Sequence, residues 1–342
     1  MSIRIPLRIV FMGSGEIGLP SLRWLAAAPD IQLVSVVTQP DKPVGRSQKL
    51  TAPPTKELAS RFGVPVLQPA RVRKPEALEE IRAFLPDLIV VMAYGQILPK
   101  SLLEMPRIAC INLHASLLPR HRGAAPIQAA ILAADRETGI TSMHMAEGLD
   151  TGDIILQHSI PIRHRETGGS LHDRLAELGP AVLEETIARL AAGTAPRIKQ
   201  DESQANYAPK LDRDSGRIDW TQPAFYLDRL VRAMNPWPGA YTVLDSSGNL
   251  LRLKLHRVLP LHRLAGAPGT VIRQARRGIV VGAGEGSLLL LDVQLEGKRR
   301  INATEFVRGF PLPAGSRVGT LETLGMSGDG RERAGTPSGL SP

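Results

Sequence analysis

The run Leu88-Ile89-Val90-Val91-Met92-Ala93 constrains this chain most. Six consecutive apolar residues leave no polar face, so a strand built from them must be covered on both sides. That is the position of a central strand in a parallel sheet with helices packed above and below. The flanking sequence supplies such helices. Leu7 to Met12 and Ile31 to Thr38 read as further strands. Pro20 to Ala28, Pro54 to Phe62 and Pro75 to Leu85 read as helices, and Ile108 to His114 as the next strand. This β–α alternation predicts a doubly wound, mostly parallel α/β sheet of Rossmann-like type. After Gln128 the pattern changes. Ile140 to Met145 and Ile154 to Ile160 are joined by a connection too short for a parallel crossover, so an antiparallel pair is expected. Ser170 to Ala192 reads as one long helix.

Beyond Lys210 the texture shifts to short strands separated by turn residues, which predicts a small β-sandwich or barrel. The expected organisation is therefore a catalytic domain over 1–193, a polar, proline-containing linker over 194–209, a β-barrel domain over 210–325 and a disordered tail over 326–342. The chain carries a net charge of +9, and the excess is uneven: 17 Lys/Arg face 10 Asp/Glu between Ala208 and Met326, against 23 and 21 before Ala208. A basic second half suits a polyanionic partner such as nucleic acid. The single cysteine, Cys110, excludes an intramolecular disulfide. No apolar run approaches the ~20 residues that span a bilayer. A cytoplasmic protein with no membrane association is expected.

Chemistry concentrates where the strand Ile108–His114 runs out. Asn112 and His114 are two residues apart, so in a strand they share a face, at the strand's carboxyl end, where α/β sheets open into a ligand crevice. Cys110 shares that face but lies deeper in apolar surroundings, as a core thiol would. Downstream, Glu147-Gly148-Leu149-Asp150-Thr151-Gly152-Asp153 places carboxylates in a turn, one of which could reach the His114 imidazole. An amide, an imidazole and a carboxylate suit acyl transfer to an amine: the imidazole exchanges a proton near neutrality, the amide donates to an oxyanion, and the carboxylate steadies the imidazolium. His114 and His121 lack a close ligand set, so no metal site is expected. A rival reading comes from Gly13-Ser14-Gly15-Glu16-Ile17-Gly18, which fits the dinucleotide pattern G-x-G-x-x-G between a strand and a helix. The acidic residue that pattern needs at the end of the second strand is poorly matched by Thr38, Gln39 and Asp41. The same loop also reads as a tight turn that packs the first helix on the sheet.

Asn112-Leu113-His114-Ala115-Ser116-Leu117-Leu118-Pro119 together with Gly148-Leu149-Asp150-Thr151-Gly152-Asp153 resembles the folate-dependent formyltransferases. Further stretches resemble the branch of that family that formylates methionyl-tRNA. These are Arg122-Gly123-Ala124-Ala125-Pro126-Ile127-Gln128, Gln39-Pro40-Asp41-Lys42-Pro43 with Gly45-Arg46, Asp201-Glu202, Tyr207-Ala208, Ile218-Asp219-Trp220 and Asn235-Pro236-Trp237-Pro238. The likeness runs from about Arg8 to Gly319. It implies transfer of the formyl group of 10-formyltetrahydrofolate, as co-substrate, to the α-amino group of methionine on initiator methionyl-tRNA. By motif, Asn112 polarises the formyl carbonyl, His114 handles the proton and Asp150 orients the site. The folate strip falls on Ser116, Leu117, Leu118 and Pro119, with Tyr94, Gly95 and Ile97 nearby. The loop Asp41 to Leu50 corresponds to the tRNA-directed one, with Lys42, Arg46 and Lys49 as its cations. Gln48 stands where a lysine is common, and His121 where an aromatic residue is common. The second domain is implied to be an OB-related barrel that contacts tRNA, and the protein to act as a monomer.

Overall fold

The structure is a computed structural model that describes residues 6–44, 48–246 and 249–319. Arg46 and the tail 326–342 lie outside the described residues. The chain divides into two compact units, Met1–Leu211 and Asp212–Pro342.

The first unit contains strands β1 (Leu7–Met12), β2 (Ile31–Val37), β3 (Lys42–Val44), β4 (Lys49–Thr51), β5 (Val66–Leu67), β6 (Leu88–Val91), β7 (Ala109–His114), β8 (Arg122–Gly123), β9 (Glu137–His144), β10 (Ile154–Pro161) and β11 (Tyr207–Ala208). Its helices are α1 (Leu19–Ala27), α2 (Pro54–Arg61), α3 (Pro75–Arg82), α4 (Lys100–Leu103), α5 (Pro126–Leu132) and α6 (Gly168–Ala191). The main sheet runs β10-β9-β7-β6-β1-β2-β5. Its β7-β6-β1-β2-β5 part is parallel, and β9 and β10 add an antiparallel edge. All four residues of β6 are buried, as a strand covered on both faces requires.

One face of the sheet presents Val10, Met12, Ile89, Val91 and Cys110 to Val72, Ile81 and Leu102. On the other face Ser142 of β9 accepts a hydrogen bond from Thr186 of α6. Helix α6 begins with a reciprocal capping box between Thr167 and Ser170 and carries Pro180 in its interior. The segment expected as a polar loop, 39–50, contains an antiparallel ribbon: β3 pairs with β4, Lys42 opposite Thr51 and Val44 opposite Lys49. Alternation and register put Lys42 and Lys49 on one face of that ribbon. The stretch read as a linker, 194–209, is tied into the first unit, because its strand β11 pairs with β8.

The glycine loop is filled by packing. A Cβ on Gly13 would stand 2.6 Å from a Phe11 ring carbon and 2.7 Å from the Met92 carbonyl oxygen. Three of the loop's amides are bound within the protein: Gly13 N–H donates to Val37, Ser14 N–H to Ala93 and Gly18 N–H to Gly15. The loop therefore closes the turn between β1 and the first helix.

The second unit has helices α7 (Ala224–Ala233) and α8 (Ala303–Gly309). Its strands are β12 (Ala240–Ser246), β13 (Asn249–Leu261), β14 (Val271–Ala275), β15 (Gly278–Gly282), β16 (Ser287–Leu295), β17 (Ile301–Asn302) and β18 (Val318–Gly319). They run β14-β15-β16-β13-β12-β18, antiparallel throughout, with β17 added beside β16. The two ends of this order meet: Val271 N–H donates to Ser316, and Val318 N–H donates to Gly269. The sheet thus curls into a small barrel and leaves few free edge groups.

Candidate active site

The site is built at the carboxyl end of β7. Register places Asn112 beside Val91 of β6 on one side and Met143 of β9 on the other. Asn112 and His114 are 8% and 6% exposed, so both are largely removed from water yet sit where the strand opens. Cys110, one alternation below, is buried in the core cluster, and burial pushes its thiol pKa up to about 12. A thiol so placed stays protonated and serves as packing.

Asp150 closes the cluster. Its Oδ2 lies 3.6 Å from His114 Nδ1, and its Oδ1 accepts from Asn112 Nδ2 at 3.4 Å. Gly123 N–H donates to the same Oδ2 at 2.8 Å. On the far side of the ring, His114 Nε2 is 2.9 Å from the His121 carbonyl oxygen. A carbonyl only accepts, so Nε2 carries a hydrogen, and in the neutral ring Nδ1 is the free base facing the carboxylate. Asp153, the other candidate carboxylate, turns instead toward Arg197 at 3.5 Å.

Asp150 takes φ 53°, a conformation few non-glycine residues adopt. Gln200 holds it there: its Nε2 donates to the Asp150 and Gly152 carbonyls at 2.8 Å each. The Gln200 oxygen is fixed in turn by Arg122 Nε and Nη2 at 3.0 and 2.8 Å. Arg122 also forms a two-point ion pair with Glu202 at 2.8 Å. The hydrogen bond to Glu202 raises the Arg122 pKa above its ordinary value, and the charge of Asp150 adds to this. His121 N–H donates to the Asn206 side chain, and His121 Nε2 pairs with Asp135 at 2.7 Å.

The strip after His114 is internally tied. Ser116 is buried and its hydroxyl donates to the Arg120 carbonyl. Leu118 N–H donates to the Thr141 hydroxyl, and the Leu118–Pro119 peptide is cis. Leu117 and Pro119 are partly exposed. Tyr94 is buried, and burial pushes its phenol up to about 12; Gly95 and Ile97 are exposed. Gln39 Nε2 and Ser14 Oγ both donate to the Tyr94 carbonyl, which fixes the loop beyond β6. Among the described residues no cluster of three His, Cys, Asp or Glu could hold a metal ion.

The sequence reading missed Gln200, Glu202 and Asn206 as supports of the site. The signal was present, since Arg122-Gly123, Asp201-Glu202 and Tyr207-Ala208 all stood among the motifs of the resemblance. About 80 residues separate Arg122 from Gln200 and Glu202, and only the fold brings them together.

A Rossmann-like sheet with an antiparallel edge, an Asn–His–Asp cluster where β7 ends, and a separate small barrel define a two-domain group-transferase architecture. The formyl transferase family profile matches residues 7–187, and the profile for the formyl transferase C-terminal domain matches residues 210–311. Methionyl-tRNA formyltransferase of Geobacter sulfurreducens is 50% identical over 313 residues, which are 92% of this chain and 97% of that protein. The methionyl-tRNA formyltransferase of Akkermansia muciniphila is 50% identical over 309 residues, 89% of this chain and 97% of its own. A solved structure of an N-formyltransferase from Helicobacter canadensis, in complex with folinic acid and dTDP-3-aminofucose, shares the fold. It has a TM-score of 0.60 at 18% identity and covers 84% of this chain and 99% of its own. The chain belongs to the formyl transferase family.

Proposed function

We propose that this protein transfers the formyl group of 10-formyltetrahydrofolate to the α-amino group of methionine on initiator methionyl-tRNA. The observation that carries this reading is the convergence of Asn112 and His114 on Asp150, in a chain half identical to methionyl-tRNA formyltransferases over nearly their whole length. No helix among the described residues is long and apolar enough to cross a membrane. A monomer acting in the cytoplasm belongs to the same proposal.

The residues divide the work as follows. The amine nitrogen attacks the formyl carbon directly, and a C–N bond forms as the carbonyl oxygen becomes an oxyanion. The Asn112 amide donates to that oxyanion, which stabilises charge that exists only as the tetrahedral species forms. The nitrogen gives up its proton to His114 Nδ1, the ring atom left free by the Nε2–H bond to His121. Asp150 then stabilises the imidazolium beside it. Collapse breaks the bond from the formyl carbon to the folate nitrogen, and the proton returns to that leaving nitrogen. No covalent enzyme intermediate is required.

Folate is assigned to the surface formed by Tyr94, Gly95, Ile97 and the strip Ser116 to Pro119. Because Ser116 and Leu118 bury their side chains, the main chain and the partly exposed Leu117 and Pro119 supply the contacts there. Lys42, Arg46 and Lys49 are assigned to tRNA phosphates, and the basic barrel contributes salt-sensitive affinity of the same kind. The test is formylation of initiator against elongator methionyl-tRNA with 10-formyltetrahydrofolate. The initiator is expected to be modified selectively; an inactive wild-type protein would overturn the reading.

The competing oxidoreductase reading rested on the glycine loop. Gly13 packed on Phe11 and Met92 supports the tight-turn account of that loop instead, and the formyl transferase match over residues 7–187 includes it.

A further inference from the structure

Tyr207 is an aromatic ring held open to solvent beside the catalytic carboxylate. It belongs to β11, whose pairing with β8 sets Tyr207 opposite Arg122 and Ala208 opposite Gly123. The hydrogen bonds flanking it, Arg122 N–H to the Asn206 carbonyl and Ala124 N–H to the Ala208 carbonyl, tie the backbone on both sides of the ring. One side of the ring rests on Gly123. A Cβ at that position would stand 2.7 Å from Tyr207 Cε2 and 2.6 Å from the Ala208 carbonyl oxygen. Gly123 adopts φ 111° and donates its N–H to Asp150 Oδ2, so the ring lies one residue from the reacting centre. The remainder of the ring is free: Tyr207 is 61% exposed, an unusual state for a large side chain backed by ordered strand.

The ring forms part of the wall of a cavity of about 470 Å³ lined by Arg122, Leu149, Thr151, Ala205, Asn206 and Tyr207. The space opens broadly to solvent, as a site for the end of a larger ligand would. Leu149 and Thr151 flank Asp150 directly, and Leu149 is 56% exposed. None of the residues assigned to folate, at 94–97 and 116–119, lines this space. A substrate that brings its amine to His114 and Asp150 from this side must carry its next atoms through the cavity.

We propose that the cavity receives the aminoacyl end of the tRNA, with the terminal adenine stacked on Tyr207 and the methionine side chain against Leu149. The inference rests on the transfer reaction proposed above. A flat apolar ring backed on one side and open on the other is what base stacking requires, and a leucine supplies the apolar surface an unbranched thioether prefers. Tyr207 and Leu149 then act on binding of this one substrate, apart from the groups that move protons.

The test uses the full-length protein and the variants Tyr207→Ala, Tyr207→Leu and Tyr207→Phe. Tyr207→Ala and Tyr207→Leu are expected to raise KM for methionyl-tRNA about tenfold, within what a single stacked base contributes. KM for 10-formyltetrahydrofolate stays at the wild-type value, and Tyr207→Phe restores the tRNA value. A second measurement guards against loss of the strand pairing in Tyr207→Ala. Initiator tRNA carrying 2-aminopurine at its 3′ end is expected to lose fluorescence on binding wild type and Tyr207→Phe, and to keep it on binding Tyr207→Leu. An unchanged tRNA KM with unchanged fluorescence overturns the assignment, as does a rise confined to the folate KM. Both outcomes presuppose an active wild type. An inactive wild type defeats the underlying reaction instead, so the two failures are distinct.

Discussion

Gln200 donates its side-chain amide to the main-chain carbonyls of both Asp150 and Gly152, at 2.8 Å each. The carboxamide cannot turn over, because its oxygen faces two N–H groups of Arg122. A residue from beyond the last helix of the α/β unit thereby fixes the backbone that carries the candidate catalytic carboxylate.

Replacing Gln200 by alanine removes two hydrogen bonds that hold Asp150 at a positive φ. At ~0.5–1.5 kcal/mol for each bond, kcat is expected to fall roughly 10- to 100-fold. KM for either substrate should change little, because Gln200 faces the loop and not the substrates. Steady-state kinetics separate the two: a large rise in KM with kcat intact would show that Gln200 acts on binding.

Asn112 and His114 are expected to fail differently. Asn112→Ala removes the proposed donor to the oxyanion and should lower kcat by ~10²–10³. His114→Ala removes the proposed proton carrier and should abolish turnover. Single-turnover rates read beside circular dichroism check both; wild-type rates in either folded variant would remove that residue from the chemistry.

Gly123→Ala should damage stability and activity together. Its φ of 111° penalises a side chain, and the added methyl would collide with the Ala208 carbonyl and the Tyr207 ring. A cost on the order of 1–3 kcal/mol is expected for backbone held in such a region. Urea denaturation measures it, and faster proteolysis between 198 and 208 would report release of β11.

A buried histidine, His144, and a half-buried one, His256, predict acid sensitivity. Burial lowers the pKa of His144, with the nearby charge of Arg197 adding and Asp153 opposing. Burial also lowers that of His256, reinforced by Arg300 and Lys254 and opposed by the hydrogen bond to Gln294 and the charge of Asp292. Below the unfolded value of ~6.5 the unfolded chain takes up protons that the folded chain refuses. Stability is therefore full above that pH and declines as pH falls from there through the folded values. His144→Leu should flatten part of the decline, measured as urea midpoints at pH 7.5 and 5.5.

Arg46→Ala tests the assignment of the segment Asp41 to Leu50 to tRNA. The expected outcome is a raised KM for tRNA with the folate KM unchanged, and a weaker dependence of tRNA binding on salt. Equal salt dependence in wild type and variant would place the phosphate contact elsewhere.

Much of this was legible along the chain. The apolar run 88–93 demanded a strand covered on both faces, and β6 is buried throughout. The short joint between the two strands after Gln128 demanded antiparallel pairing, as β9 and β10 have. The i, i+2 spacing of Asn112 and His114 put them on one face, and Cys110 on that face is core. The glycine loop left two readings open because a sequence pattern cannot report what its glycines pack against. Its glycines answer to Phe11 and Met92, a contact between two strand ends 80 residues apart.

Local chemistry settles what neighbours in the chain can do: period, turn length and the pairing of an amide with an imidazole need only a few consecutive residues. The sequence by itself therefore determined the α/β class, the barrel that follows and the two polar groups at the end of β7. Residue type alone left open which carboxylate meets His114; the family resemblance named Asp150, and the physical reason lies in the tertiary structure. Asp150 and Asp153 are three residues apart in one turn, and the choice depends on Gly123 receiving one and Arg197 the other. The same holds for Gln200, Arg122 and Tyr207. Their roles depend on distances between segments some 50 to 85 residues apart, which packing sets and no local pattern encodes.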